Sequence, residues 1–418
     1  MKKINIGLFG FGCVGSGLYK VLEESNNLDA KITRIVAKNP NKQRESTTIP
    51  ISYNSREILE DESINVVVEL INDSGEAYAI IKEALQRKKH VVTANKKVLA
   101  ENLAELITLA KENGVSLLYE AAVAGSIPII RNLEEYYNND LLTTIEGILN
   151  GTTNYILTKS NAGITYSEAL QEAQDKGFAE SDPTLDVDGF DSIYKLTILL
   201  KHAFGVVVAP SELLTVGIRN LKKQEVKFVK EKGFRIKLIA KAFVIENKLF
   251  AFLAPHVIES SHAAYNVDNE FNAVLVQAAY ADKQLFYGKG AGSFPTASAV
   301  LSDISALRYD YAYEYRRTNS EITNLSQNLV LKVYIGSESV NTLSEFNFNE
   351  VEDLYIGKDY SYQIGFIQLE DLLKVNWNKR NDLSLLIFSE NKLLNQTQKK
   401  TIPNLNLLTN QSSYYSIH

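Results

Sequence analysis

A short apolar run, Ile4 to Gly10, leads directly into Gly10-Phe11-Gly12-Cys13-Val14-Gly15, then Ser16 and Gly17, with a helical pattern from Val14 to Glu24. Strand, glycine turn and helix in that order leave few folds open. Gly10 permits a tight turn, Gly12 lets the backbone approach a diphosphate, and Gly15 lets helix and strand pack closely. The first helical N–H groups then point at the ligand, and the helix dipole favours its negative charge. Gly10, Phe11, Gly12, Cys13, Val14 and Gly15 are therefore the expected cofactor contacts. A glycine-rich turn without a ligand is the plainer alternative, and the strand–turn–helix context argues against it.

The expected fold class is α/β, and strands and helices alternate after the loop. Lys31 to Lys38 reads as a second strand, Val66 to Leu70 as a buried parallel strand, and Val91–Thr93 and Val115–Tyr119 as two more, with amphipathic helices before each of those two. A Rossmann-type parallel sheet follows. The second strand ends Val36-Ala37-Lys38-Asn39, with Lys42 and Arg44 behind and no carboxylate to hold ribose hydroxyls. Lys38 thus favours NADP(H) over NAD(H).

The middle changes character. Leu141 to Asn150 reads as a strand and Gly151 to Ser160 as a helix. Thr165 to Lys176 is a helix with a Thr165–Glu168 capping box and Gly177 as its stop. Phe234 to Ile258 holds two strands around Glu246–Asn247, and Ala273–Tyr280 and Gln284–Tyr287 are further strands. An α+β catalytic and dimerisation domain is expected. Beyond Arg308, Asn328–Ile335 and Asp382–Ser389 read as strands, Phe366–Leu373 as a short helix and the last twenty residues as loose. The expected domains are 1–130 for dinucleotide binding, completed by about 288–307, then 131–287 for catalysis and dimerisation, and 308–418 as a small C-terminal α+β unit.

With 418 residues, 45% apolar, the chain can bury several cores. A net charge of −6 gives no reason to expect nucleic-acid binding. Cys13 is the single cysteine, so no intrachain disulfide or four-cysteine zinc site is possible. Lys2 and Lys3 before an apolar stretch imitate a signal peptide, but the glycines and the absent cleavage site argue against one. No apolar run is long enough to span a bilayer. A cytoplasmic location with no membrane partner is expected.

A second chemical cluster runs from Gly177 to Leu196, with acids at Glu180, Asp182, Asp186, Asp188 and Asp191, and Lys195 four residues after Asp191. If Asp191 opens a helix reaching His202, both side chains share one face. Carboxylates suit a substrate ammonium group, and a partly desolvated lysine beside a carboxylate suits a carbonyl that accepts hydride. On spacing alone, a surface ion pair of little worth explains the pattern equally well.

Taken together, the chain resembles the homoserine dehydrogenase family over about residues 3–307. The resemblance is carried by Gly10 to Gly17, Val91-Val92-Thr93-Ala94-Asn95-Lys96, Tyr119 to Pro128, Gly147 to Ile156, the Gly177–Lys195 cluster, and Gly288-Lys289-Gly290-Ala291-Gly292 with Pro295-Thr296-Ala297. It implies reversible NAD(P)H-dependent reduction of L-aspartate 4-semialdehyde to L-homoserine, on the route to threonine, methionine and isoleucine. It implies Lys195 as proton donor, with Lys96 between nicotinamide and substrate as rival or co-worker. Glu180 and Asp191 match substrate-holding positions, with Asp186, Gly151 and Thr152 near them. Gly292 matches a late cofactor contact. Glu120, Val123, Gly125 and Ile127 match residues whose oxygens hold a monovalent cation, usually sodium. A homodimer or dimer of dimers is implied as well.

The chain departs from the family pattern in three places. Phe178 stands where many members have tyrosine, and Asn72-Asp73 stands where two glycines are frequent. The third is the C-terminal region, diverged from the ACT-type regulatory domain of many bacterial members; no Pro-Gly turn follows Asn328–Ile335, and a degenerate ACT-like unit is expected. Two other readings stand beside this one: another two-domain NAD(P)-dependent amino-acid or aldehyde oxidoreductase, and a catalytically idle dinucleotide sensor. Aspartate-semialdehyde dehydrogenase is disfavoured, because the one cysteine lies in the glycine loop and not at an acyl-enzyme position.

Overall fold

The computed structural model describes residues 3–25, 28–44, 46–139, 141–319 and 324–393; the tail expected to be loose lies outside them. Six strands form the first sheet: β1 Ile4–Phe9, β2 Ala30–Val36, β3 Ile51–Ser52, β4 Val66–Glu69, β5 His90–Thr93 and β6 Leu117–Leu118. They are all parallel, in the order β3-β2-β1-β4-β5-β6. This is the doubly wound dinucleotide-binding order, whose ligand crevice lies outside the carboxyl ends of the strands where the winding reverses, between β1 and β4. Every residue of β4 is buried, as a parallel strand covered on both faces requires. The last strand expected here, Val115–Tyr119, shrinks to the two residues of β6.

The longer helices are α1 Cys13–Glu24, α2 Ser74–Gln86, α3 Lys96–Asn113, α4 Gly151–Asn161, α5 Tyr166–Asp175, α6 Phe190–Phe204, α7 Lys223–Glu231 and α8 Ser293–Leu307. Thr165 makes both halves of the capping box at the start of α5. Late in the chain, α8 returns to pack on α1, and the Ser293 hydroxyl donates to the Cys13 carbonyl at 2.6 Å.

The second sheet contains β7 Leu142–Ile148, β8 Leu214–Thr215, β9 Arg235–Ile245, β10 Lys248–Ile258, β11 Phe271–Ala278, β12 Asp282–Lys289, β13 Leu329–Ser337, β14 Glu350–Ile356, β15 Ser361–Gln368 and β16 Leu383–Leu393. Its order is β12-β11-β7-β9-β10-β16-β13-β15-β14, with β8 also on β10. The β9–β10 hairpin turns at Glu246 and Asn247, with φ of 48° and 60°, the left-handed pair that matches strand twist. Helices α4 and α6 pack against β9, and α6 also packs against α3 of the first unit.

The C-terminal strands continue this sheet through a single bridge, His256 to Ile387. Their chain order is strand, helix, strand, strand, helix, strand, but the helices are one turn each, Val340–Leu343 and Leu369–Leu373. Phe366–Leu373 is thus helical only from Leu369; its first three residues finish β15. Both β14 and β15 escape the pattern reading. In β15 nearly every residue is buried, although Ser361, Gln363 and Gly365 alternate with Tyr362, Ile364 and Phe366, whereas β14 is largely exposed and has no apolar face to mark it.

Two kinds of contact bind this unit to the rest. Phe250 and Phe252 of β10 share a core with Leu329, Leu331, Val333, Ile335 and Trp377. On the other face, α7 inserts the buried Glu225, whose carboxylate accepts from the Tyr360 and Ser384 hydroxyls, while the Tyr334 and Tyr360 hydroxyls share a hydrogen bond at 2.9 Å. Removing that carboxylate takes the shared acceptor from two buried hydroxyls, Tyr360 and Ser384. Glu225→Ala should therefore lower unfolding free energy by about 1–3 kcal/mol. Thermal or urea unfolding of the purified variant checks this, and an unchanged midpoint contradicts it.

Candidate active site

The glycine loop closes the carboxyl end of β1. Gly10 has φ of +92°, and a Cβ there would lie 2.5 Å from the Leu70 carbonyl oxygen. A Cβ on Gly15 would lie 2.2 Å from the Gly10 carbonyl oxygen, so helix and turn touch backbone to backbone. Gly12 differs: nothing lies within 4 Å of a Cβ placed there, and its φ of −96° suits any residue. It faces open space at the N-terminus of α1, where N–H groups are free to receive a diphosphate. The loop therefore fits a dinucleotide, tight where it packs and open where a ligand would approach. Phe11 is buried and stacks edge-on against Tyr19, so it supports the loop from inside, whereas Cys13 is exposed. Gly292, at φ +126°, starts α8, whose Ser293 meets the same loop.

Across the crevice the carboxylates sort themselves. Asp191, in the first turn of α6, is buried, with 5% of its side chain exposed. One of its oxygens meets Lys96 Nζ at 2.6 Å; the other meets Lys195 Nζ at 2.7 Å and Asn150 Nδ2 at 2.9 Å. Lys195, one turn along α6, is also buried and donates to the Leu149 carbonyl at 2.7 Å. Lys96 is the first residue of α3, capped by Asn95, and its side chain is 41% exposed. The spacing argument for one helical face thus holds, and the pair is not a surface one. Asp186 joins through Asn150 Nδ2 at 2.7 Å.

Electrostatics separates the two lysines. Burial pushes the Lys195 ammonium below its ordinary range, Asp191 opposes that, and the like charge of Lys96 adds to it. Lys96 is held above its ordinary range, chiefly by Asp191, with smaller help from Asp186 and Glu180. For Asp191, burial acts to raise the carboxyl, but the two ammonium groups outweigh it and hold the group well below the usual carboxylate range. Asp186 is pushed up, by burial and by the charge of Asp191. The site holds one fixed carboxylate, one lysine that keeps its proton and one that gives it up more readily.

The other expected residues lie close by. Glu180 is exposed, and its carbonyl accepts from Gln174 Nε2 at 3.0 Å. Gly151 opens α4 under the Glu270 carbonyl, too close for a Cβ, and the Thr152 hydroxyl donates to the Phe178 carbonyl at 2.5 Å. The Phe178 ring packs against Tyr155. Two of the five acids do structural work: Asp188 holds Arg219 through both oxygens, and Asp182 accepts from the Thr184 N–H. Asn150 was not singled out by sequence. It caps α4 through Thr153 N–H while its amide bridges Asp186 and Asp191. Its signal was an asparagine at a strand-to-helix junction, a capping position.

Lys38 lies at the end of β2, 71% exposed, and pairs with Glu76 at 3.0 Å and Asp73 at 3.5 Å. Asp73 caps α2 through Glu76 N–H, which accounts for a carboxylate where glycine is frequent. Near the expected cation position, Gly125 has φ of +58° and abuts Gly290, while Ser126 N–H donates to the Lys289 carbonyl. The Glu120 carboxylate accepts from Ile130 and Arg131 N–H, and burial pushes it up to about 8, so its carbonyl is the oxygen left to offer. The Ile127 carbonyl already accepts from Ile129 N–H. Among the described residues no three His, Cys, Asp or Glu side chains converge as a metal site. Backbone carbonyls, the oxygens that Glu120, Val123, Gly125 and Ile127 have to offer, are donors for a hard cation and not for a softer metal. Among the described residues, no helix is long and apolar enough to cross a membrane.

Comparison with known proteins gives the same picture. Residues 10–120 match the NAD binding domain of homoserine dehydrogenase, and residues 128–305 match the homoserine dehydrogenase family model. The homoserine dehydrogenase of Bacillus subtilis is 39% identical over 318 residues, covering 73% of each chain. That of Lactococcus lactis is 38% identical over 313 residues, covering 72% of this chain and 73% of its own. The crystal structure of a homoserine dehydrogenase from Thiobacillus denitrificans superposes with a TM-score of 0.80 at 29% identity, covering 93% of this chain and 99% of the other. A hyperthermophilic archaeal homoserine dehydrogenase mutant in complex with NADPH superposes at 0.64, with 26% identity, over 75% of this chain and all of the other. The structural likeness thus reaches further along the chain than the sequence likeness.

The contrast between the glycines is testable. Gly12→Ala has room for its methyl and an ordinary φ, so it should fold with an unchanged melting midpoint. Its methyl occupies the approach to the α1 N-terminus, and NADPH affinity measured by fluorescence titration should fall about tenfold or more. Unchanged affinity would show that the diphosphate does not lie over Gly12.

Proposed function

The chain belongs to the homoserine dehydrogenase family and is an NAD(P)-dependent oxidoreductase; from that premise we propose how its own residues carry the interconversion of L-aspartate 4-semialdehyde and L-homoserine. The observation that carries the reading is the buried Asp191 carboxylate held between Lys96 and Lys195. Reduction adds hydride to the aldehyde carbon and leaves negative charge on oxygen. A dinucleotide whose diphosphate is held at Gly10–Gly15 would supply that hydride from its nicotinamide. Lys195 gives the oxygen its proton in reduction and takes it back in oxidation. Two of its three N–H donors are occupied by Asp191 and Leu149, which leaves one for the substrate. Lys96 stays charged and stabilises the oxyanion.

Asp191 accepts from three donors and keeps about one lone-pair site for substrate. Glu180 and Asp186 take the substrate ammonium, with Gly151 and Thr152 forming the wall beside it. Lys38 favours NADPH: its contacts to Asp73 and Glu76 are exposed pairs of little worth, so a 2′-phosphate can displace them. The carbonyls of Glu120, Val123, Gly125 and Ile127 would hold a sodium ion at the turn before the catalytic domain. The C-terminal unit acts as a degenerate ACT-like domain: its strand and helix order fits, but its one-turn helices offer little to an effector. The protein works in the cytoplasm as a homodimer or dimer of dimers, with Leu285 and Tyr287 of β12 exposed on the second sheet. A catalytically idle sensor would have no use for two lysines converging on one buried carboxylate.

The assay is oxidation of L-homoserine with NADP, followed at the nicotinamide band. Oxidation should quicken as pH rises and Lys195 loses its proton, and no absorbance change with either cofactor in folded protein would refute the activity. Lys195→Ala should lower kcat about a hundredfold or more, with NADPH binding nearly intact. Lys195→Arg should restore little, because guanidinium gives up its proton far less readily. Near-normal turnover in Lys195→Ala together with its loss in Lys96→Ala would make Lys96 the acid.

A further inference from the structure

The chemistry above leaves one buried carboxylate unused. Glu69 is the last residue of β4 and is fully buried. One carboxylate oxygen accepts from Ile71 N–H at 2.7 Å, and the other from the Thr93 hydroxyl at 2.5 Å. Burial dominates its environment and pushes the carboxyl up to about 7, against which only those two hydrogen bonds work. A buried carboxyl without a cation is costly, and an apolar residue would finish a parallel strand more cheaply.

What the carboxylate gains is a closed ring. Having donated to Glu69, the Thr93 oxygen accepts from Asn95 N–H at 3.0 Å. Asn95 Nδ2 donates to the Ile71 carbonyl at 3.2 Å, and its Oδ1 accepts from Val98 N–H, capping α3. Glu69, Ile71, Asn95 and Thr93 therefore tie the ends of β4 and β5 together. Ring and cap end on Lys96, the first residue of α3, whose Nζ reaches Asp191. On the other side, Leu70 lies within the ring's span, and its carbonyl presses against Gly10 of the cofactor loop. The ring thus links the floor of the cofactor crevice to the lysine that bridges to α6.

We propose that Glu69 is a positioning residue for the reaction: through Thr93 and Asn95 its carboxylate fixes Lys96 between the cofactor loop and Asp191. It touches neither substrate nor cofactor. The proposal rests on the role given to Lys96 above. A carboxylate is suited to this place because it accepts at both oxygens at once. The isosteric amide of Glu69→Gln presents an NH2 to either Ile71 N–H or the Thr93 hydroxyl, so one contact is lost or Thr93 must turn.

The test is a double-mutant cycle in the full chain, read as single-turnover hydride transfer from L-homoserine to NADP, which still reports a slow residual rate. Glu69→Gln should fold, bind NADP as the parent does and keep KM for L-homoserine within about twofold, while the transfer rate falls about ten- to a hundredfold. In a Lys96→Ala background the same change should cost almost nothing, because its effect passes through Lys96. A parental rate in Glu69→Gln overturns the proposal. So does a double variant that loses the full Glu69→Gln factor beyond Lys96→Ala, which would mark Glu69 as a general support of the loop. If Glu69→Gln does not fold, Thr93→Ala removes the same link and carries the same comparison. Parent protein inactive with L-homoserine would instead sink the reading of the site itself, so the two failures are distinguishable.

Discussion

The Asp191 carboxylate, out of water and in contact with two ammonium groups, organises this molecule. Burying one carboxylate costs several kcal/mol, and the cost is offset only with well-placed opposite charge. Lys195 comes from the same helix and Lys96 from the start of α3, just beyond β5 of the first sheet, so the contact spans two structural units. The glycine loop, the cap of α3 and the start of α6 must all be in register for it to form. The protonation difference between the lysines follows from the same geometry: Lys195 is buried, which disfavours its charge, whereas Lys96 is partly exposed and held charged chiefly by Asp191.

The two sheets divide the labour. The parallel sheet brings the ends of β1, β4 and β5 to one crevice, which puts the glycine loop, Glu69 and Lys96 within a few residues of strand ends. The mixed sheet supports α4 and α6, whose first turns supply Asn150, Gly151, Thr152 and Asp191. Because β10 gives one edge to β16 and shares Phe250 and Phe252 with the C-terminal core, the last unit is part of the catalytic scaffold. Asn378 reaches the Asp188 carbonyl, just ahead of the helix that carries the site. Loss of the C-terminal strands would therefore unsettle the acidic loop.

Much of this was legible in the sequence where chemistry and local pattern coincide. The glycine loop, the Thr165 capping box and the Glu246–Asn247 turn each depend on a few neighbouring residues, and each forms where those residues stand. The Asp191–Lys195 face was legible as geometry, but its burial was not. Spacing alone cannot say whether a helix face meets solvent or another domain. Asn150 and Glu69 escaped for a related reason: both act through partners distant in sequence, such as Asp191 and Thr93, which no local pattern displays. The strand β14 was hidden because it is largely exposed, so no buried face imposes an apolar period on it. Lys38 reads as a free cation in sequence, yet Asp73 and Glu76 reach it from α2.

The central claim is that Asp191 organises both lysines for proton transfer. Its most direct test is the turnover of Asp191→Asn with L-homoserine and NADP, beside its NADP affinity. The amide keeps the shape but drops the charge that holds Lys96 and sustains the Lys195 proton. Turnover about a hundredfold or more below the parent, with NADP affinity unchanged, is the predicted result. Near-parental turnover would contradict the account, because the lysines would then need no carboxylate between them.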